Sequence, residues 1–167
     1  MRRILSAMAA AAAVVLLSAT LAGSTLAGGP SYVRAEVPWN FATWVDEGAT
    51  YDITARGFVH TAKIPYFHNP GVSMSANGPG GQPDQPCLAA YENAISGECM
   101  MEDVGFGTLI GLVMDGDTGL PAAPPFVIGA EASFAAPASG WLFLGINDLG
   151  LSYYDNSGQF TVEISPQ

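Results

Sequence analysis

Apolar and polar positions alternate with a period of two over much of the chain, the spacing of strands rather than helices. Tyr51, Ile53, Ala55, Gly57 and Val59 alternate with Asp52, Thr54, Arg56, Phe58 and His60, which predicts a strand with one buried face. Phe160-Thr161-Val162-Glu163-Ile164 predicts another. Phe106 to Met114 is a nearly continuous apolar run bounded by Gly105 and Asp115-Gly116-Asp117, and predicts a strand buried on both sides. A second apolar run, Trp141 to Ile146, starts after Gly140, and Pro124-Pro125 and Gly129 bracket a shorter strand. With 12 prolines and 20 glycines there is little room for long helices. The pattern predicts an all-β fold, a β-sandwich in a single domain.

Two stretches break the alternation. Lys63 to Gly81 carries Pro65, Asn69-Pro70-Gly71 and Asn77-Gly78-Pro79-Gly80-Gly81, which predicts a long surface loop. Leu88 to Ile95 is the one candidate helical turn.

The first residues belong to a different class. Arg2 and Arg3, an apolar stretch from Ile4 to Leu21 and small residues thereafter have the anatomy of a secretory signal over 1–27, with cleavage expected after Ala22 or Ala27 and Ala35 a third candidate. A short membrane anchor is the alternative for so Ala-rich a run. A domain over 28–167 is then expected to be secreted or periplasmic and to leave no membrane contact after signal removal. Its basic residues are Arg34, Arg56 and Lys63, against 15 acids, a net charge of −12. Such a surface repels phosphate backbones and excludes nucleic acid as a partner. In an oxidising compartment the two cysteines, Cys87 and Cys99, favour a bridge worth about 3 kcal/mol in the chain-entropy model, the alternative being two buried thiols.

Candidate chemistry gathers between the last two strands. Asn147-Asp148-Leu149-Gly150-Leu151-Ser152-Tyr153-Tyr154-Asp155-Asn156-Ser157-Gly158 offers side-chain oxygens from Asp148, Asp155 and Asn156, and glycines that let carbonyls turn inward. Hard cations such as calcium take six to eight such oxygens. An ordinary tight turn uses the same residue types. Asp115-Gly116-Asp117-Thr118-Gly119 lacks the glycine and distal glutamate of an EF-hand and predicts a hairpin turn. His60 and His68 have neither cysteines nor HExxH spacing to suggest zinc.

The final loop, from Asn147-Asp148 through Ser152 to Asp155-Asn156-Ser157-Gly158, resembles the binding loop of the calcium-dependent galactophilic bacterial lectins of the PA-I (LecA) type. Glu47-Gly48, Arg56-Gly57-Phe58, Gly78-Pro79-Gly80, Gln82-Pro83-Asp84-Gln85, Leu109-Ile110-Gly111, Phe126-Val127-Ile128-Gly129 and Ser139-Gly140-Trp141-Leu142 follow in the order of that family. The resemblance implies a sandwich of the galactose-binding-like, jelly-roll type. It implies a calcium site in which Asp148, Asp155 and Asn156 give side-chain oxygens while Ser152 and Thr61 give backbone carbonyls. It also implies sugar contacts from Gln85, Gln82, Asp148 and Asn156. Gln82 stands where galactose-binding members have histidine, so one sugar contact is changed.

The implied function is a secreted, calcium-dependent, carbohydrate-binding domain for galactose-like glycans. The competing reading is an exported structural or cell-surface interaction domain in which calcium only stiffens a loop. A glycoside hydrolase is disfavoured, because carboxylates held ionised on calcium are poor general acids and no supported nucleophile is visible. The oligomeric state stays open.

Overall fold

Residues 29–60, 73–78, 99–148 and 153–167 are described by the computed structural model. The expected signal segment, Thr61, Gln82, Gln85, Cys87, the helical turn at 88–95 and Ser152 lie outside the described residues. No helix among the described residues is long and apolar enough to cross a membrane.

The longest pairing joins β3 (Thr50–His60) to β9 (Ser157–Pro166), antiparallel from Tyr51↔Pro166 to His60↔Ser157. Alternation explains it: β9 buries Phe160 and Val162 while Gln159 and Glu163 face solvent, and β3 buries Tyr51, Ile53, Ala55 and Val59 on the same side. β1 (Ser31–Arg34) pairs with the other edge of β9. Beyond β3 lie β7 (Glu131–Ala135), along its first half, and β4 (Ser73–Met74), at its end.

The second sheet runs β2 (Asn40–Val45), β8 (Gly140–Ile146), β5 (Leu109–Asp115), β6 (Phe126–Val127), again antiparallel throughout. The protein is an all-β sandwich of one domain. Its core is closed by Ile53, Val59, Phe160 and Val162 from one sheet against Leu109, Leu142, Leu144 and Ile146 from the other, each at 0% exposure. A buried side chain of this size contributes about 1.5–3 kcal/mol.

Two details depart from expectation. The strand expected from Phe106 begins at Leu109, because Gly107 adopts φ +74° and the amides of Gly107 and Thr108 turn to Asn147 O and Gly105 O. From Leu109 to Val113 every residue is buried, as the apolar run requires. Inside the stretch expected to be loop, Ser73–Met74 pairs with Val59–His60 and Ser75 bridges Gly78, with Met74 and Ala76 buried. The breakers fall on either side of that segment, and the alternation of Met74 and Ala76 with serines carries it onto the edge of β3.

Candidate functional site

β8 and β9 deliver the two ends of the oxygen-rich loop to the same edge of the sandwich. Ile146 is the last residue of β8, fully buried, so Asn147 and Asp148 leave the strand still inside the protein, at 0% and 1% exposure. On the returning side, Tyr153–Asp155 forms a 3-10 turn closed by Asn156 N–H to Tyr153 O at 3.2 Å, and Ser157 begins β9. Gly158 has φ +88°, and a Cβ there would lie 2.6 Å from Phe58 O. A side chain is therefore excluded at the point where the loop rejoins the sheet.

Asn147 is saturated. Its Nδ2 donates to Val104 O at 2.7 Å and Met101 O at 2.9 Å, with Gly105 O at 3.4 Å, and its Oδ1 accepts from Met101 N at 2.9 Å. Its backbone accepts from Gly107 N–H and donates to Thr108 O. Met100 N–H also donates to Asp148 O at 3.3 Å. Segment 100–107 is thus stapled to the end of β8 by the Asn147 side chain and by the backbone oxygens of Asn147 and Asp148. Cys99 is buried at its start, and no cysteine among the described residues is free.

Asn156 is different. Its Nδ2 donates to Asp148 Oδ2 at 2.6 Å and to Ala35 O at 3.3 Å, which fixes the amide plane. Its Oδ1 is buried and has no hydrogen-bond partner among the described residues. Buried acceptors are nearly always paired, so an orphan held in place by its own amide nitrogen points to a ligand, water or cation. With that nitrogen committed, the open capacity of Asn156 is as an acceptor only.

Tyr153 closes the floor. Its hydroxyl donates to Ile146 O at 2.8 Å and lies 3.3 Å from Met100 Sδ. Burial, and then the charge of Asp148, push its pKa well above the ordinary phenol value, so it stays neutral. Asp155 is exposed at the rim, and partial burial raises its carboxyl pKa against the smaller opposing effect of its own backbone N–H.

Of the five expected metal ligands, Asp148 and Asn156 are in direct contact and Asp155 adjoins Asn156 in the chain. Thr61 and Ser152 are outside the described residues, as are Gln82 and Gln85. His60, peptide-bonded to Thr61, pairs with Ser157, the residue after Asn156, so the end of β3 reaches the same edge. Among the described residues no group of three or more His, Cys, Asp and Glu could hold a metal. The donors brought together, the Asp148 carboxylate and the Asn156 amide oxygen, are of the types a hard cation takes along with carbonyls and water. The structural part of Asn147 was missed in the sequence because its partners lie 42 to 46 residues away. Nothing in the local pattern separates it from any asparagine in a turn.

No family model matches the chain, and no curated protein matches it. Among solved structures it is similar to one described as the EclA N-terminal domain, a PllA-like lectin, with a TM-score of 0.52 and 18% identity, over 83% of this chain and 96% of that one. At that identity the likeness shows the fold alone, a two-sheet β-sandwich.

Proposed function

We propose that the protein is an exported carbohydrate-binding domain whose sugar site is built on a calcium ion held by the 148–156 loop. The observation that carries this reading is Asn156 Oδ1, a buried acceptor with no donor among the described residues, fixed beside Asp148 at the edge where β3, β8 and β9 converge. Asp148, Asp155 and Asn156 are the side chains that would hold the ion, with carbonyls of Thr61 and Ser152 completing the set. When bound, calcium supplies positive charge that offsets the carboxylates and open positions for vicinal sugar hydroxyls. Asn147 and Tyr153 set where Asp148 stands. The lectin-like fold is consistent with this role, although a fold alone does not assign a ligand. Gln85 and Gln82 are the proposed contacts to a galactose-like sugar, with Gln82 lowering selectivity.

One observation favours the competing reading. Asp148 and Asn156 are 1% and 7% exposed, which suits an ion that stiffens the loop better than one that presents a glycan.

A thermal melt with calcium and with chelator tests the metal. At a hundred times its dissociation constant the ion should stabilise by about 2.7 kcal/mol, and Asp148→Ala and Asp155→Ala should each remove the effect. An unchanged wild-type melt in chelator would sink the proposal. Calorimetry with monosaccharides then separates the two readings. The lectin reading expects weak, calcium-dependent galactose binding, lost in Gln85→Ala and made more selective in Gln82→His, whereas the stiffening reading expects no sugar heat at all.

A further inference from the structure

The outer face of the β2-β8-β5-β6 sheet carries aromatic side chains where solvent-facing strands ordinarily carry polar ones. Phe41 and Trp44 are three residues apart, and regular alternation would send them to opposite faces. A β-bulge prevents this: Phe41 pairs with Phe143, Thr43 with Leu142 and Trp44 with Trp141, so the extra residue Ala42 resets the phase. All four rings therefore share the outer face. Trp44 and Trp141 meet edge to face at 4.6 Å, Phe41 and Trp141 at 5.3 Å, and Phe41 and Phe143 at 6.1 Å. Phe41, Trp44 and Trp141 are 56%, 40% and 44% exposed.

Carboxylates rim one end of this row. Trp44 Nε1 donates to Asp46 Oδ1 at 3.1 Å, and a Cβ on Gly116 would lie 2.4 Å from the far edge of the Trp44 ring, so that ring lies over the turn between Asp115 and Asp117. The amides of Glu47 and Gly116 both bond Ser139, which places Glu47 beside the same turn. Donation from the Thr118 amide and hydroxyl and from the Asp117 amide holds Asp115 below the usual carboxylate range. No lysine or arginine occurs in β2, β5, β6 or β8, and Arg34 and Arg56 belong to the other sheet.

Charge and area together choose the occupant. An anionic membrane is repelled by the acidic rim, and a second copy would bring the same uncompensated carboxylates against each other. The exposed aromatic area is about 300 Å², well below the roughly 800 Å² per partner of a stable interface between folded proteins. A short segment fits both the size and the charge, because the faces of exposed indoles attract cations and the rim supplies their counter-charges.

We propose that this face docks a cationic segment of a partner protein, with lysine or arginine side chains interleaved with apolar ones, independently of the 148–156 loop. The test titrates the intact protein, in chelator, with a synthetic peptide alternating arginine and leucine, followed by calorimetry and tryptophan fluorescence. Matched peptides with glutamine or glutamate in place of arginine, a neutral β-linked oligosaccharide and anionic vesicles serve as competing probes. Expected is binding of the arginine peptide alone, weakened by added salt, by about tenfold in Trp141→Ala and in Phe41→Ser, and several-fold in the Glu47→Gln/Asp117→Asn double variant. Each variant's circular dichroism and melt confirm folding, and Phe41→Ser, at the most exposed ring, keeps the test open should Trp141→Ala fold poorly. Absence of binding, equal binding of the glutamine peptide, preference for the oligosaccharide or the vesicles, or a concentration-dependent dimer that occludes the tryptophans would each overturn the proposal.

Discussion

The two ends of the 147–156 loop each bury an asparagine, and the two do opposite work. At the β8 end, Asn147 spends both side-chain polar atoms on the backbone of 101–105 and so ties a distant segment to the end of β8. At the β9 end, Asn156 is anchored through its nitrogen and its oxygen, beside Asp148, is unpaired among the described residues. Leaving such a group unsatisfied costs about 1–3 kcal/mol. A saturated amide is a structural fastener, whereas an anchored amide with an unpaired oxygen is where the proposed ion would gain most.

The largest effect should come from breaking the saturated end. Asn147→Ala strands several backbone groups in the interior and should destabilise the protein by about 3–5 kcal/mol, equally with and without calcium, as read from urea unfolding. A loss confined to calcium-loaded protein would mean Asn147 belongs to the ion instead. Next in size is the cysteine that starts the stapled segment. We propose that Cys99 is bridged to Cys87, so replacing both by serine should cost about 2–4 kcal/mol. Thiol titration of unfolded, unreduced protein should find none, and two reactive thiols would end that pairing.

At the other end the sign should depend on the metal. Asn156→Asp keeps an oxygen for the ion but replaces the nitrogen that bonds Asp148 Oδ2 with a second carboxylate. In chelator it should destabilise by about 1–2 kcal/mol through like-charge repulsion, and calcium should then raise its melting temperature by more than in the wild type. An equal shift in the two proteins would show that Asn156 does not face the ion. Smallest of all is Asp117→Ala, in the exposed 115–119 turn. It should stay within about 0.5 kcal/mol of wild type and keep the full calcium shift; losing that shift would move the metal to the wrong loop.

Much of the architecture was legible because it depends on neighbours along the chain. Alternation placed β3 and β9, the apolar runs placed β5 and β8, and the final loop stood out by its concentration of oxygens and glycines. The edge strand at Ser73–Met74 was hidden by the prolines and glycines around it, although Met74 and Ala76 carried a short period-two signal. The Asp115 turn is a turn, with Asp115 Oδ1 receiving Asp117 N–H, Thr118 N–H and the Thr118 hydroxyl.

What the sequence by itself determined is the class of fold, the order of its main strands and the concentration of oxygen donors between the last two, since each follows from local periodicity and from residue types that turn the chain or offer oxygen. The tertiary structure alone decided which asparagine has all its side-chain polar atoms paired and which keeps an unpaired oxygen, because the partners that separate Asn147 from Asn156 come largely from segments far away in the chain. It also decided the aromatic face. A bulge at Ala42 exists only in the pairing of β2 with β8, and without it Phe41 and Trp44 would point to opposite sides of the sheet.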